Sequence, residues 1–410
     1  MPLINFLNSL DSETQRLAGL GIAKFPETVI EKFTFSQTKS PQAVISNHKF
    51  SVFNSNDYLG LRFHPKLIQA EHQASAKYGV GPGAVRFISG SLLIHQQLEQ
   101  ALADFHHRQD AIVFSSAFAA NFSAISALSK GQSQDSLVSS DTLIISDQLN
   151  HRSIVDGIRV TTLPSENRLI YRHLDFDHLI EILTQNIGKF SRCLVISDGV
   201  FSMLGEIVDL KRLRGLCDQF DSQYPQGVLL YIDDAHGVGV IGDTGRGTEE
   251  YCASQADVLV GTLGKAFGCD GGYIVGSKEV ITYLRESASG YIYSNNLSPG
   301  TASAALASVN LVASKTGQKL ISLLRQNMQY FHSSHAIYPL ILGDPQKTLT
   351  LKKQLFADGF LVTAINYPVV PKGRDEIRIQ VSASHTASEI KSLLTLIHGF
   401  YPGLLNSFSN

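Results

Sequence analysis

A lysine at the end of an apolar run is the residue in this sequence best placed for covalent chemistry. Lys265 stands in GTLGKAFGCDGG, where small neighbours let a flat ring approach the backbone closely. Most lysines are solvated surface, but an amine held in a glycine-rich turn after a strand is placed to act as a Schiff-base nucleophile. The phosphate-loop pattern G-x-x-x-x-G-K-[ST] fails here, because Leu259 occupies the position that needs glycine and Ala266 follows the lysine. Upstream, YIDDAHGVG supplies Asp233 and His236. A carboxylate closing a buried strand needs a positive partner, and a protonated pyridine nitrogen is such a partner; it keeps the ring an electron sink. His236 is placed to hydrogen-bond a ring hydroxyl or a substrate carbonyl. Either residue alone reads more readily as a turn former or a satisfied histidine, and the downstream lysine tips the balance.

Three further positions fit the same chemistry. In SSAF the hydroxyl of Ser116 and the amides of Ala117 and Phe118 open a helix-prone run, which makes a phosphate cradle, although an ordinary N-cap has the same pattern. His151 in DQLNHRSIVDG offers a flat ring for stacking. Arg378 alternates inward within EIRIQVSA and suits bidentate capture of a carboxylate; a surface ion pair is its plainer reading.

These residues need a scaffold that gathers them on one edge. Short apolar runs at 111–114, 143–146, 193–197, 228–232, 257–262 and 272–276 alternate with helical periodicity, the signature of a mostly parallel sheet covered on both faces. SSAF, SDQLNH, DGVFS, DDAH and GK each follow such a run, and ligands bind at the carboxyl ends of strands in open α/β sheets. The sequence therefore predicts an N-terminal arm over 1–55 with a helix and a hairpin, a large α/β domain over 56–298 and a smaller α+β domain over 299–410. The latter holds a long helical stretch at 301–330, the strands YPLILG, FLVTAI and EIRIQVSA, and a last helix, with the tail GLLNSFSN expected to fray.

Composition narrows the partners. With 410 residues and 43% hydrophobic content the chain can bury a full core, and a net charge of −2 without basic runs gives no footprint for nucleic acid or an anionic membrane. Cys193, Cys217, Cys252 and Cys269 lack metal-ligand spacing and read as reduced and packed, so no metal is expected. The N-terminus has no signal-peptide pattern and no segment is apolar enough to span a bilayer, which predicts a cytoplasmic protein.

Taken together the motifs resemble the α-oxoamine synthases, a subfamily of fold-type-I enzymes dependent on pyridoxal 5'-phosphate (PLP). The likeness runs from NSNDYLGLRFHP through YGVGPGAVRFISGSLLIHQQLE, SDQLNHRSIVDGIR, SDGVFSMLGEIVDL, DDAHGVGVIGDTGRG and GTLGKAFG to YPVVPKGRDEIRIQVSASHT. Within the family it is nearest the glycine C-acetyltransferase (2-amino-3-ketobutyrate CoA ligase) branch, in DGVFSM, GRGTEEYC, YIYSNNLSP and YPVVPKG. The 8-amino-7-oxononanoate synthase and serine palmitoyltransferase branches are its neighbours.

The resemblance implies an aminotransferase-like fold with a mostly parallel seven-stranded sheet and a small α+β domain. It also implies a homodimer with a shared active site. It makes Lys265 the Schiff-base lysine, Asp233 the partner of the ring nitrogen, and His151 the stacking residue, with His236 and Ser202 at the ring oxygen. Ser116, Ala117, Phe118 and Thr262 would hold the phosphate, joined by Ser294 and Asn295 from a second subunit. Asn56, Arg378 and Arg16 would hold the amino acid. The implied reaction joins a small amino acid, glycine above others, to an acyl-CoA, giving a 2-amino-3-oxo product and CoA.

The sequence departs from the family at three places: GCDGG is one residue shorter than the family's segment, DSLVSSDT lengthens the approach to DQLNH, and Arg152 replaces a small residue after the stacking histidine; the first and third lie near the cofactor or acyl entry. A decarboxylating paralogue that takes a longer acyl chain is the alternative. Two distant rivals are a nicotinamide-dependent oxidoreductase, since GVGVIG spells G-x-G-x-x-G, and a PLP-fold scaffold without catalysis. The first would need a helix opening directly after a strand; the second is at odds with the presence of Lys265, Asp233, His236 and Arg378.

Overall fold

Runs of Val, Ile and Leu with both faces buried form the centre of the computed structural model, which describes residues 2–20, 22–23, 26–36, 39–133, 135–367 and 369–402. Seven strands make one sheet: β1 (Asp110–Phe114), β2 (Thr142–Asp147), β3 (Arg168–Tyr171), β4 (Arg192–Asp198), β5 (Val228–Asp233), β6 (Val258–Thr262) and β7 (Gly272–Gly276). Their order is β1-β7-β6-β5-β4-β2-β3. The pairs β2/β3, β2/β4, β4/β5 and β5/β6 are parallel, and β7 alone runs antiparallel to both its neighbours. Six of these strands are the apolar runs read from the sequence. The seventh, β3, is a half-exposed edge strand whose RLIY pattern lacks the continuous apolar signature.

Helices begin where strands end. Ser116 caps the helix Ala117–Lys130 after β1, His151 caps Arg152–Val160 after β2, and Asp209 caps Leu210–Asp221 beyond β4. The face of Ala117–Lys130 carrying Ala120, Ala124 and Ile125 packs on Ile112, Ile144, Ile196, Val260 and Ile274 of the sheet. Each fully buried aliphatic side chain of this kind contributes about 1.5–3 kcal/mol.

The described chain forms two compact units, one of residues 56–326 and one of 1–55 with 327–410. The first extends beyond the boundary at 298 expected from the sequence, because helix Pro299–Val312 packs against helices Pro65–Tyr78 and Leu93–His106. The helical stretch expected over 301–330 consists of two helices, Pro299–Val312 and Lys315–Gln329.

In the second unit, strands Gln42–Ile45 and His48–Val52 form a hairpin through Ser46 and Asn47, both at positive φ (48° and 64°). Strand Lys32–Thr34 flanks it on one side and Phe360–Leu361 on the other. A separate antiparallel sheet places Glu376–Gln380 between Ile337–Ile341 and Thr363–Ile365. Helix Pro2–Gly19 buries none of its residues. The tail expected to fray, 403–410, lies outside the described residues. No helix among the described residues is long and apolar enough to cross a membrane.

Candidate active site

Parallel pairing of β4 with β5 sets Asp198 directly beside Asp233 at the carboxyl end of the sheet. Two carboxylates side by side repel, so one favours its proton and both favour a positive neighbour. Asp198 shows it: burial, then the Asp233 charge, pushes its carboxyl well above the ordinary range. One oxygen of Asp198 accepts from the His151 amide at 3.1 Å, and Oδ1 is buried without a hydrogen-bond partner. Asp233 accepts from Asn121 Nδ2 at 2.5 Å and from the Ala235 amide at 2.9 Å.

These carboxylates line a cleft together with Ala117, Phe118, His151, Ser202, His236 and Lys265, seven of the predicted residues among them. Desolvation holds the His151 imidazole below the usual histidine pKa, against the Asp233 charge and with help from Lys265. His236 meets the hydroxyl of Tyr58 through Nδ1 at 2.9 Å, and the same hydroxyl lies 3.1 Å from Asn56 Oδ1. Tyr58, wholly buried, thereby joins two predicted residues that the sequence left separate.

The expected phosphate cradle would be built by the backbone. Ser116 Oγ accepts from the Ala119 amide at 3.1 Å, which leaves the amides of Ala117 and Phe118 without intrahelical partners at the positive end of the helix dipole. Gly272 on β7 lies so close beneath that a Cβ there would collide with Ala117 N. Thr262, closing β6, accepts from the Gly264 amide at 3.2 Å and donates to Gly271 O at 3.1 Å.

Other predicted residues are not among the residues that line this cleft. Ser294 and Asn295 are exposed. Arg16 is exposed on helix Pro2–Gly19 and paired with Glu13 at 2.7 Å. Arg378 lies on strand Glu376–Gln380 of the second unit, buried, its Nε and Nη2 without a hydrogen-bond partner among the described residues. Sequence reasoning missed Tyr58, Asn121, Ser153 and Asp198; the sole local signals were an asparagine on the apolar face of AFAANFSAISALSK and the aspartate of DGVFS. GVGVIG forms turns, with Gly239 and Gly242 at φ 76° and 82°, and the next helix begins at Thr248. The strand-to-helix geometry of a nicotinamide fingerprint is therefore absent from this string.

The donor set fits PLP: amides and hydroxyls at a helix start for a phosphate, a buried carboxylate pair for a cationic ring nitrogen, an amine, and an imidazole exposed at the cleft. Residues 49–397 match the family model described as aminotransferase class I and II. Over 405 residues, 95% of this chain and 96% of the relative, the sequence is 35% identical to 8-amino-7-oxononanoate synthase of Treponema denticola. Over 396 residues, 93% of both chains, it is 37% identical to 2-amino-3-ketobutyrate coenzyme A ligase of Escherichia coli. Among solved structures, serine palmitoyltransferase of Sphingomonas wittichii superposes with a TM-score of 0.85 at 26% identity, covering 98% of both chains.

The chain belongs to the aminotransferase class I and II family and has its fold-type-I architecture. Within that class it is an α-oxoamine synthase, a PLP-dependent transferase whose relatives carry both synthase and ligase names.

Proposed function

We propose that this protein is a PLP-dependent C-acyltransferase that condenses a small amino acid, glycine by preference, with an acyl-CoA, releasing CoA and a 2-amino-3-oxo product. The gathering of Lys265, Asp233, His151 and His236 around one cleft carries this reading. Bound there, PLP supplies an electron sink for a carbanion at the amino acid's Cα.

The protein's own groups do the rest. Lys265 would hold the cofactor and then, as a free amine, accept the Cα proton. Asp233 would hold a positive charge at the ring nitrogen, and His151 would lie against the ring face. Ser202 would contact the ring oxygen, while Ser116, Ala117, Phe118 and Thr262 hold the phosphate. His236 would polarise the thioester carbonyl in the manner of an oxyanion donor. Asn56 and Arg378 would secure the substrate carboxylate, Arg378 through the guanidinium nitrogens that lack partners, with Arg16 assisting. We further propose a homodimer in which Ser294 and Asn295 of one subunit complete the site of the other.

The test is an absorbance titration of the purified protein with glycine, alanine and serine, followed by acyl-CoAs of increasing length while free thiol and carbon dioxide are measured. Spectral change with glycine and thiol release with a short acyl-CoA, without carbon dioxide, support the reading. Carbon dioxide release with alanine or serine and a longer chain replaces it with the decarboxylating type, which the 8-amino-7-oxononanoate synthase relatives favour. Mixing inactive Lys265→Ala and Asn295→Ala subunits should restore activity if the site is shared.

A further inference from the structure

The fifth residue of helix Ala117–Lys130 is an asparagine with no exposed surface, on the face that otherwise carries Ala120, Ala124 and Ile125. A primary amide buried there is costly unless its hydrogen-bonding capacity is used. Its Nδ2 reaches Asp233 Oδ2 at 2.5 Å and Ser153 Oγ at 2.9 Å, while its Oδ1 accepts from the Tyr231 hydroxyl at 2.9 Å. Burial, reinforced by the Asp233 charge, keeps the Tyr231 phenol protonated and hence a donor. The amide is thus locked in one orientation, with oxygen to Tyr231 and both hydrogens committed.

The consequence passes through Ser153. Having accepted a hydrogen from Asn121, its hydroxyl donates its own to His151 Nδ1, 2.7 Å away. The Ser153 backbone amide points at the same nitrogen from 3.3 Å. A ring nitrogen receiving two donors carries no proton, so the proton of neutral His151 sits on Nε2.

We propose that Asn121 is a positioning residue of this site, tying the Asp233 carboxylate to His151 through Ser153 and fixing which nitrogen of His151 bears the proton. Two groups that would hold the cofactor, Asp233 at its ring nitrogen and His151 against its face, are then set by a single buried amide. The inference concerns the PLP site and holds whichever amino acid and acyl group the enzyme takes.

The experiment reads imidazole nitrogen shifts of His151 in the full-length, PLP-free protein, labelled at histidine and assigned against His151→Gln. Wild type should show the Nε2–H form. Asn121→Leu, close in volume without hydrogen bonds, and Ser153→Ala should each raise the Nδ1–H population. Tyr231→Phe, which frees the amide to turn, should do so less. Asn121→Leu should also weaken PLP binding by about tenfold or more, as loss of a hydrogen bond to a charged group does. The Asn121→Ala and Ser153→Ala effects on PLP binding should be less than additive, because both break one chain. An Nδ1–H form in wild type overturns the proposal. So does an Nε2–H form undiminished in both Asn121→Leu and Ser153→Ala. If Asn121→Leu fails to fold, Ser153→Ala and Tyr231→Phe decide the matter alone.

Discussion

Two adjacent aspartates, Asp233 the last residue of β5 and Asp234 the first beyond it, meet opposite surroundings. Asp233 faces the cleft beside Lys265, His151 and His236, its oxygens engaged by Asn121 and the Ala235 amide. Asp234 has no exposed surface and accepts from the amide and hydroxyl of Thr248. Around Asp234 the backbone crowds in, and a Cβ on Gly199, Gly237 or Gly247 would overlap its carboxyl group. One carboxylate lines the cleft, where we propose that it serves the cofactor, and its neighbour braces the glycine-rich loop that follows. The contrast teaches that residue type gives little away here; the position at the strand end decides which aspartate lines the cleft.

The comparison can be broken at either end. Lys265→Ala should abolish the long-wavelength PLP absorbance and lower turnover by roughly a thousandfold or more, since it would remove both the proposed tether and the proposed base. Retained colour with near-normal turnover would reassign the amine. Asp233→Asn should cost roughly a hundred- to a thousandfold in turnover with the fold intact, the loss expected when a buried charge loses its partner; an equal loss of thermal stability would place Asp233 with Asp234 instead.

On the structural side, Gly247→Ala meets both a φ of 83° and the Asp234 carboxyl, so it should destabilise the protein by about 2–4 kcal/mol in denaturant titration. A change below 0.5 kcal/mol would mean the loop yields easily.

The Asp234 carboxyl itself sharpens the contrast through pH. Burial, opposed by the Thr248 bonds, raises it from 3.8 to about 8. A group whose pKa rises on folding stabilises the fold fully below its unfolded value and loses that contribution as pH climbs through its folded value. Stability should therefore fall between about pH 4 and pH 8, and Asp234→Asn should flatten that part of the Tm profile. An unaltered slope in the variant refutes the assignment. The smallest effect expected is from Ser116→Ala, about 1 kcal/mol of helix stability with a modest loss of PLP affinity.

Much of this organisation was legible in the chain. Continuous apolar runs marked every strand of the sheet except β3, whose exposed edge face lacks the pattern. The lysine, the aspartate and the two histidines stood out because reactive residues directly follow buried strands. Asn121, Ser153 and Tyr58 did not, because their importance lies in partners far along the chain: Asn121 meets Asp233 and Tyr58 meets His236. Asp198 lay within a motif that was read, yet its place beside Asp233 depends on strand register, which no local spacing encodes.

The one antiparallel strand of the sheet has a consequence for how such proteins diverge. Thr262 and Gly272 are paired in register, and the Leu263 amide bonds to Gly271 O, so the segment bearing Lys265 is a loop pinned at both ends. The Gly268 amide closes back on Lys265 O, which confines the lysine to the near side of that loop. The Cys269 amide also bonds to Leu263 O, so a residue gained or lost near 269–270 would have to re-form that bond to leave Lys265 in place. The GCDGG segment is therefore the place where deliberate changes of loop length would test how far the placement of Lys265 depends on those bonds.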